Sequence, residues 1–299
     1  MAMALRAYER RFQVNGLELA ADEWVPADAR GTVFLLHGGG QTRYSWQGTA
    51  RTLAQAGWTA VSLDARGHGE SGWAAGGDYS TDSLVADLVA VVAEYDGRGG
   101  VVLVGASMGG LTSLVAVGEG RVQARGLVLV DVAPRIEPGG ADRIGAFMTA
   151  RPEGYESLDE VAAAVAAYNP HRVRPPRLEG LRKNVRLRED GRWHWHWDPA
   201  FTAPTEDAAS RVPDPARLRE AAAALRIPTM LVRGVQSDIL SEQGVREFMD
   251  LVPDAKYVDV RGAGHMVAGD DNDVFTREVI VFMDNLPDTA SGTAGSAAQ

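Results

Sequence analysis

Ser107 is the residue of this sequence best placed to act as a nucleophile. It lies in Gly105-Ala106-Ser107-Met108-Gly109, directly after the apolar run 101–104. Glycines two positions to either side allow a turn that is too tight for larger side chains, so the serine hydroxyl is pushed outward between a strand and a helix. The pattern therefore predicts a nucleophile elbow.

A serine hydroxyl needs a base within hydrogen-bond reach, and that base needs a carboxylate to orient it. Both residue types follow predicted strands further along the chain: Asp238 comes after the strand 228–234, and His265 after the strand 255–260. We expect Ser107 to act as nucleophile, His265 as base and Asp238 as orienting acid. The order Ser, Asp, His is that of α/β-hydrolases rather than of the chymotrypsin or subtilisin types.

A glycine-rich turn supplies the third part of such a site. His37-Gly38-Gly39-Gly40 follows the predicted strand 31–36. Glycines at the end of a strand leave backbone N–H groups free to point at the negative oxygen that develops during acyl transfer. The sequence therefore predicts an oxyanion hole close to Ser107.

A further turn, Asp64-Ala65-Arg66-Gly67-His68-Gly69-Glu70-Ser71, makes the chain similar to capped α/β-hydrolases of the esterase, C–C hydrolase and cofactor-free haloperoxidase group. The resemblance covers roughly residues 10 to 286. It implies an α/β-hydrolase fold, with a mostly parallel eight-stranded sheet, helices on both faces and a helical cap after the sixth strand. It also implies that the N–H groups of Gly39 and Met108 form the oxyanion hole, and that His37 and His68 shape their turns.

Asp131 competes with Asp238 for the role of acid. It ends the predicted strand 127–131, a place from which some members of this superfamily reach the same histidine. Both strands are expected to end at the catalytic edge of the sheet. We favour Asp238 and keep Asp131 as the alternative acid.

The alternation of strands and helices breaks after Pro134 and resumes only at Pro228. A gap of this length is too long to be a connecting loop and must contain structure of its own. We predict a first core part over 1–133, a helical cap over 134–225, a second core part over 226–287 and a disordered tail over 288–299. The tail is rich in Ser, Thr, Gly and Ala and offers nothing to bury.

The cap is expected to close the substrate pocket. It contains the alternating run Arg192-Trp193-His194-Trp195-His196-Trp197, whose indoles fall on one side of an extended segment. Two histidines do not complete a metal site, and we expect no metal and no other cofactor. An apolar pocket is predicted, and its expected lining residues are Gly38, Trp46, Phe147, Met148 and Trp193.

A basic stretch of the cap contrasts with the acidic chain. Eight arginines and lysines lie between His171 and Arg192, and Arg182, Lys183 and Arg186 fall mostly on one helical face. A solvated helix face explains this pattern. The alternative is a site for an anionic part of the substrate, because arginine suits bidentate contacts with anions.

Composition limits the classes of function. A formal net charge of -10 argues against nucleic acid as a partner. There is no apolar run of the length needed to span a membrane, and no signal-peptide core follows Met1, so we expect a cytoplasmic protein without membrane contacts, either a monomer or a homodimer. With no cysteine, thiolate catalysis is excluded.

The sequence thus predicts a serine hydrolase that cleaves a carboxylic ester, or a related thioester, lactone or C–C bond, through an acyl-serine intermediate. The expected substrate is a small ester-like molecule with an apolar acyl or aromatic group. Two alternatives stay open: a cofactor-free perhydrolase or haloperoxidase with the same triad, and a non-catalytic binding module on the same fold. An aspartate nucleophile of the epoxide-hydrolase kind is disfavoured, because the elbow carries Ser107.

Overall fold

The computed structural model of the chain describes residues 5–168, 178–203, 213–261, 263–265 and 273–287. The predicted tail, 288–299, lies outside these ranges, as do residues 171–177 at the start of the basic stretch of the cap. The strands are β1 Ala7–Val14, β2 Leu17–Trp24, β3 Thr32–Leu36, β4 Thr59–Leu63, β5 Val101–Ala106, β6 Gly126–Val130, β7 Val185–Leu187, β8 Trp193–Trp195, β9 Thr229–Gly234 and β10 Lys256–Val260.

The helices are α1 Gln47–Gln55, α2 Thr81–Ala93, α3 Met108–Gly118, α4 Pro138–Thr149, α5 Leu158–Tyr168, α6 Pro215–Ala223, α7 Glu242–Leu251 and α8 Asp273–Asp284. Short 3-10 helices cover Arg43–Trp46, Leu178–Lys183 and Pro199–Phe201. Within the described ranges, no helix combines the length and the hydropathy that crossing a bilayer requires.

Eight strands form one sheet in the order β1-β2-β4-β3-β5-β6-β9-β10, and β2 runs antiparallel to both of its neighbours. The other pairs are parallel, as the alternation of strands and helices predicts. Asn15 and Gly16 join β1 to β2 with φ of 48° and 77°, the positive values that a two-residue hairpin turn requires. The predicted eight-stranded sheet is confirmed, and the Asn-Gly dipeptide forms the hairpin turn for which it is typical.

The central strands are buried on both faces, because helices cover both sides of the sheet. One core cluster joins the sheet to α2, α3, α6 and α7, and a second joins it to α1 and α8. Trp46 belongs to the second cluster, fully buried with its ring centroid 6.0 Å from that of Phe275. The prediction that Trp46 lines the substrate pocket is therefore wrong.

The cap has a small core of its own. Its buried residues run from Met148 to Trp197 and include Tyr155, Leu181 and Trp195. It is not purely helical, because β7 and β8 pair as an antiparallel hairpin inside it.

Helix α6 does not pack with this cap core. Leu218, Ala221 and Ala222 join the core cluster of the sheet, and a Cβ on Gly118 of α3 would lie 2.3 Å from the carbonyl oxygen of Ala221. The contact is close because glycine leaves room for the backbone of α6. The separately packed part of the insertion therefore ends before α6, earlier than the expected boundary at residue 225.

Candidate active site

Ser107 lies on a strained turn between β5 and α3. Its φ of 47° and ψ of -116° are values that a residue with a side chain rarely adopts. A Cβ on Gly105 would lie 2.4 Å from the carbonyl oxygen of Gly109, and a Cβ on Gly109 would lie 2.5 Å from that of Leu36. Both flanking glycines are therefore required by the close approach of the backbone, as the elbow pattern predicts.

The histidine after β10 pairs with the carboxylate after β6. His265 Nδ1 lies 2.7 Å from Asp131 Oδ2. The side chain of Asp131 is fully buried, and its Oδ1 accepts the backbone N–H of Gly234 at 2.9 Å. Ser237 donates its hydroxyl to Oδ2 at 2.5 Å. A buried carboxylate with three such donors is held in one orientation, and it can fix the histidine ring in turn.

Asp238 lies elsewhere. Its Oδ2 pairs with Arg143 Nη2 at 2.8 Å, and its side chain is 32% exposed. The loop after β9 turns back on itself through a bond from Ser237 N to Gly234 O of 2.8 Å, which directs Ser237 toward Asp131. The expectation that Asp238 orients His265 is therefore wrong, and the alternative acid, Asp131, occupies the position.

A cavity of about 1110 Å³ opens over this group of residues. Ser107 and His265 both line it, together with residues of the cap. Of the predicted pocket residues, Gly38, Phe147 and Met148 lie on its wall. Trp193 does not, because its ring is covered by the guanidinium of Arg182 at 4.9 Å. The indole on the wall is that of Trp195.

The glycine-rich turn after β3 leaves one amide free beside Ser107. The N–H of Gly38 donates to Gln41 Oε1 at 3.0 Å, and that of Gly40 donates to His68 Nε2 at 3.1 Å. Within the described part of the chain, the N–H groups of Gly39 and Met108 donate to no protein acceptor. These two donors are available to a ligand oxygen, which is the requirement for an oxyanion hole.

Comparison with known proteins decides the family. The sequence profile described as alpha/beta hydrolase fold matches residues 31–271. The chain belongs to this family. An esterase of Mycobacterium tuberculosis is 30% identical over 249 residues, which cover 80% of this chain and 78% of the relative. The 3-hydroxybutyrate-oligomer hydrolase of Cupriavidus necator is 29% identical over 260 residues, 83% and 86% of the two chains.

The solved structures agree on the architecture of this alpha/beta hydrolase. The crystal structure of E-2-(acetamidomethylene)succinate hydrolase superposes with a TM-score of 0.78 at 23% identity, covering 93% of this chain and all of that one. At this identity the likeness shows the fold alone. The fold and the relatives together make the chain a hydrolytic enzyme.

Two buried histidines support the glycine-rich turn 37–40 of the hydrolase. His37 donates from Nδ1 to Gly38 O at 2.7 Å, and its Nε2 accepts the N–H of Ala65 at 3.0 Å. His68 donates from Nδ1 to Arg66 O at 3.1 Å and accepts the N–H of Gly40. Burial lowers the pKa of His37 to about 4, and burial together with the neighbouring His37 lowers that of His68 to about 3. Both rings must be neutral to accept an N–H, so neither is suited to act as the base.

The cap of the hydrolase is anchored to the same turns. His196 accepts the N–H of Gly69 at 2.7 Å, and the N–H of Asp198 donates to Gly67 O at 2.8 Å. Tyr79 donates a short hydrogen bond to the carboxylate of Asp198. Burial lowers the pKa of His196 well below its usual range, so this ring is neutral as well. The segment that carries Trp195 is thereby held against the turn 64–71, and His196 Nε2 lies 3.4 Å from Gly40 O of the glycine-rich turn.

The sequence reasoning missed two residues of this site. Ser237 precedes the predicted acid by one position, and no sequence pattern distinguishes its role from that of its neighbour. Trp195 was one of three alternating indoles, and the alternation did not reveal which of them faces the cavity. Both outcomes depend on how a loop or hairpin turns in space.

Proposed function

We propose that this hydrolase cleaves a carboxylic ester through an acyl intermediate on Ser107, with His265 as base and Asp131 as orienting acid. One observation carries the proposal. The strained Ser107 and His265 line one cavity, and Asp131 holds His265 from the buried side, so that three different strand ends contribute to one site. Neither a binding module nor a structural protein requires a strained serine in this setting.

In the first half of the reaction, Ser107 Oγ attacks the ester carbonyl and its proton passes to His265 Nε2. The resulting imidazolium is stabilised by Asp131, whose Oδ2 already accepts from Nδ1. The carbonyl oxygen becomes an oxyanion and accepts the N–H groups of Gly39 and Met108. His265 then protonates the departing alkoxide, which leaves as the alcohol and gives acyl-Ser107.

In the second half, His265 takes a proton from a water molecule as that water attacks the acyl carbonyl. The same two N–H groups stabilise the second oxyanion. The carboxylic acid is released when the bond to Ser107 Oγ breaks and His265 returns its proton to that oxygen. The proton balance closes within each half, so no cofactor is needed for this chemistry.

The shape of the cavity supports an apolar acyl or aromatic group in the substrate. Four aromatic rings of the cap form a continuous series. The ring centroids of Tyr168 and Phe147 are 4.4 Å apart, those of Phe147 and Trp195 are 5.2 Å apart, and those of Trp195 and Trp197 are 5.0 Å apart. Three of these rings, Tyr168, Phe147 and Trp195, line the cavity and offer apolar surface to which aromatic and alkyl groups bind well.

Labelling with a fluorophosphonate, followed by peptide mapping, tests the nucleophile. The expected result is a covalent adduct on Ser107 that is absent from Ser107→Ala, together with hydrolysis of p-nitrophenyl butyrate by the wild type alone. A panel of a thioester, a lactone and a β-diketone then identifies the bond that is cleaved fastest. A wild-type chain that is not labelled at Ser107 would overturn the proposal and favour a binding module.

A further inference from the structure

The cavity has a polar end beside the glycine-rich turn 37–40. It is formed by Lys183 and Asn184 of the cap and by Tyr44 and Ser45 of the segment that follows the glycine turn. All four residues line the same cavity as Ser107. This end differs in character from the aromatic series on the cap, and the reaction described above does not use it.

The ammonium of Lys183 is held at this end by two contacts. Its Nζ donates to Gln47 Oε1 at 2.8 Å and lies 4.8 Å from the centroid of the Tyr44 ring. The neighbouring Asn184 accepts the hydroxyl of Thr42 at 3.4 Å. The cap residues are thereby connected to the segment 42–47.

Some donors at this end have no described protein acceptor, although the Tyr44 hydroxyl donates to Glu70 Oε1 at 3.3 Å. Within the described ranges, no carboxylate lies in ion-pair distance of Lys183, whose ammonium has two N–H donors besides the one given to Gln47. The Ser45 hydroxyl and the Asn184 amide N–H group also donate to no described protein acceptor. The wall of the cavity therefore carries one ammonium without a described ion-pair partner and two neutral groups with N–H or O–H donors to spare.

The neighbouring arginines do not share this position. Arg182 covers the ring of Trp193 at 4.9 Å, away from the cavity wall. Arg186 donates to Arg182 O at 3.3 Å and lies 3.9 Å from a carboxylate oxygen of Glu70. Of the three basic residues that the sequence places on one face, the structure brings Lys183 alone to the cavity.

We propose that this polar end binds a free carboxylate of the substrate, at a distance from the ester that is cleaved. The inference rests on the proposed function, because it names the class of ester that the same cavity takes. One ammonium and neutral donors match the single charge of a carboxylate. A phosphate, with its higher charge, calls for several cations or an arginine fork.

The polar end and the scissile bond are connected through one short segment. A Cβ on Gly38 would lie 3.2 Å from Ser107 Cβ, and the N–H of Gly38 donates to the side chain of Gln41. Tyr44 and Ser45 follow within the same loop. The proposal therefore predicts an ester that carries its carboxylate on a short alkyl chain, on either the acyl or the alcohol side.

Matched esters test the proposal. Monoethyl adipate against diethyl adipate places the carboxylate on the acyl side, and 4-acetoxybutanoate against pentyl acetate places it on the alcohol side. We expect the wild type to prefer the anionic member of one pair. Lys183→Gln should lower the anionic-to-neutral ratio of kcat/KM about 5- to 20-fold, mainly through KM. Lys183→Arg, which keeps the positive charge, should retain most of the wild-type ratio.

Arg182→Gln is the control, since it removes an adjacent positive charge that lies outside the cavity. The anionic-to-neutral ratio of kcat/KM in this variant should stay within about twofold of the wild-type ratio. Added salt should lower the ratio of the wild type and of Arg182→Gln, but not that of Lys183→Gln. A wild type that is indifferent to charge, or equal effects of the two variants, would overturn the carboxylate site.

Protection from labelling separates the two proposals. Adipate should slow the fluorophosphonate labelling of Ser107 in the wild type and have little effect in Lys183→Gln. Labelling that adipate does not slow overturns the carboxylate site and leaves the acyl-serine mechanism standing. A wild-type chain that is not labelled at Ser107 overturns the acyl-serine mechanism. The carboxylate site would then still be supported if adipate raises the Tm of the wild type but not that of Lys183→Gln.

Discussion

Asp131 Oδ2 lies 2.7 Å from His265 Nδ1, although 134 positions separate the two residues in the chain. The contact joins the end of β6 to the loop after β10, across the end of β9 that lies between them in the sheet. Its consequence is that the acid of the candidate triad comes from an earlier strand than the usual pattern suggests.

The first prediction compares the two aspartates. Asp131→Asn should lower kcat roughly 10³- to 10⁴-fold, because an amide neither stabilises the imidazolium nor favours the required tautomer. Asp238→Asn should stay within about twofold of the wild type, since that carboxylate pairs with Arg143 at the surface. Steady-state kinetics on one p-nitrophenyl ester decides the matter, and a larger loss for Asp238→Asn would contradict our assignment.

The second prediction concerns Ser237 as a positioning residue. Its hydroxyl donates to the carboxylate of Asp131 and accepts the N–H groups of Ile239 and Leu240, each at 3.1 Å. Ser237→Ala should lower kcat about 3- to 10-fold with little change in KM, because the carboxylate loses one of the donors that hold it.

Ser241→Ala is the matched control for Ser237. Ser241 caps α7 by accepting the N–H of Gly244, and it makes no contact with Asp131. Losing this cap should cost about 1 kcal/mol of stability and leave kcat unchanged. If both variants lower Tm and neither changes kcat, Ser237 has a purely structural role.

The third prediction is a loss of stability in mild acid. The folded pKa values of His37 and His68, about 4 and about 3, lie below the value near 6.5 expected in the unfolded chain. Between these limits the unfolded state binds more protons, so the free energy of unfolding falls as pH falls from about 6.5 toward 4. Each such histidine contributes a slope of up to about 1.4 kcal/mol per pH unit.

Urea unfolding at pH 7.5, 6.0 and 5.0 measures this slope. His37→Gln should flatten it, because an amide can accept and donate in place of the neutral imidazole without titrating. His194→Gln is the control, since His194 pairs with the exposed Asp190. An unfolding free energy that is constant from pH 7.5 to 5.0 would show that the buried rings do not resist protonation.

The fourth prediction assigns specificity to one indole. Trp195→Leu should lower kcat/KM about 5- to 30-fold for bulky aromatic esters and much less for an acetate ester that hardly contacts the cap. Trp193→Leu should leave the ratio between these substrates unchanged, because its ring lies under Arg182 and outside the cavity. Equal losses for short and bulky esters would mean that Trp195 supports the cap core rather than the substrate.

The sequence by itself determined the parts of the site that are local. Three features depend on residues that are neighbours in the chain: the elbow around Ser107, the glycine turn after β3 and the succession of strands along the sequence. Among such neighbours a glycine or an apolar run has a direct steric meaning. For the same reason the hairpin at Asn15 and Gly16 could be predicted, and His37 and His68 could be interpreted as shaping their turns.

The tertiary structure alone decided which side chains meet. Asp131 and Asp238 both follow strands at one edge of the sheet, and the turn after β9 directs Ser237 toward Asp131 and leaves Asp238 paired with Arg143, away from His265. Trp46 is predicted at the pocket but lies in the core cluster between the sheet, α1 and α8, where its large apolar ring is removed from water. Sequence patterns indicate whether a residue will be buried and whether its side chain is reactive. Which partner it finds depends on loop conformation and on packing between distant segments, because those contacts form only when the whole sheet and cap have assembled.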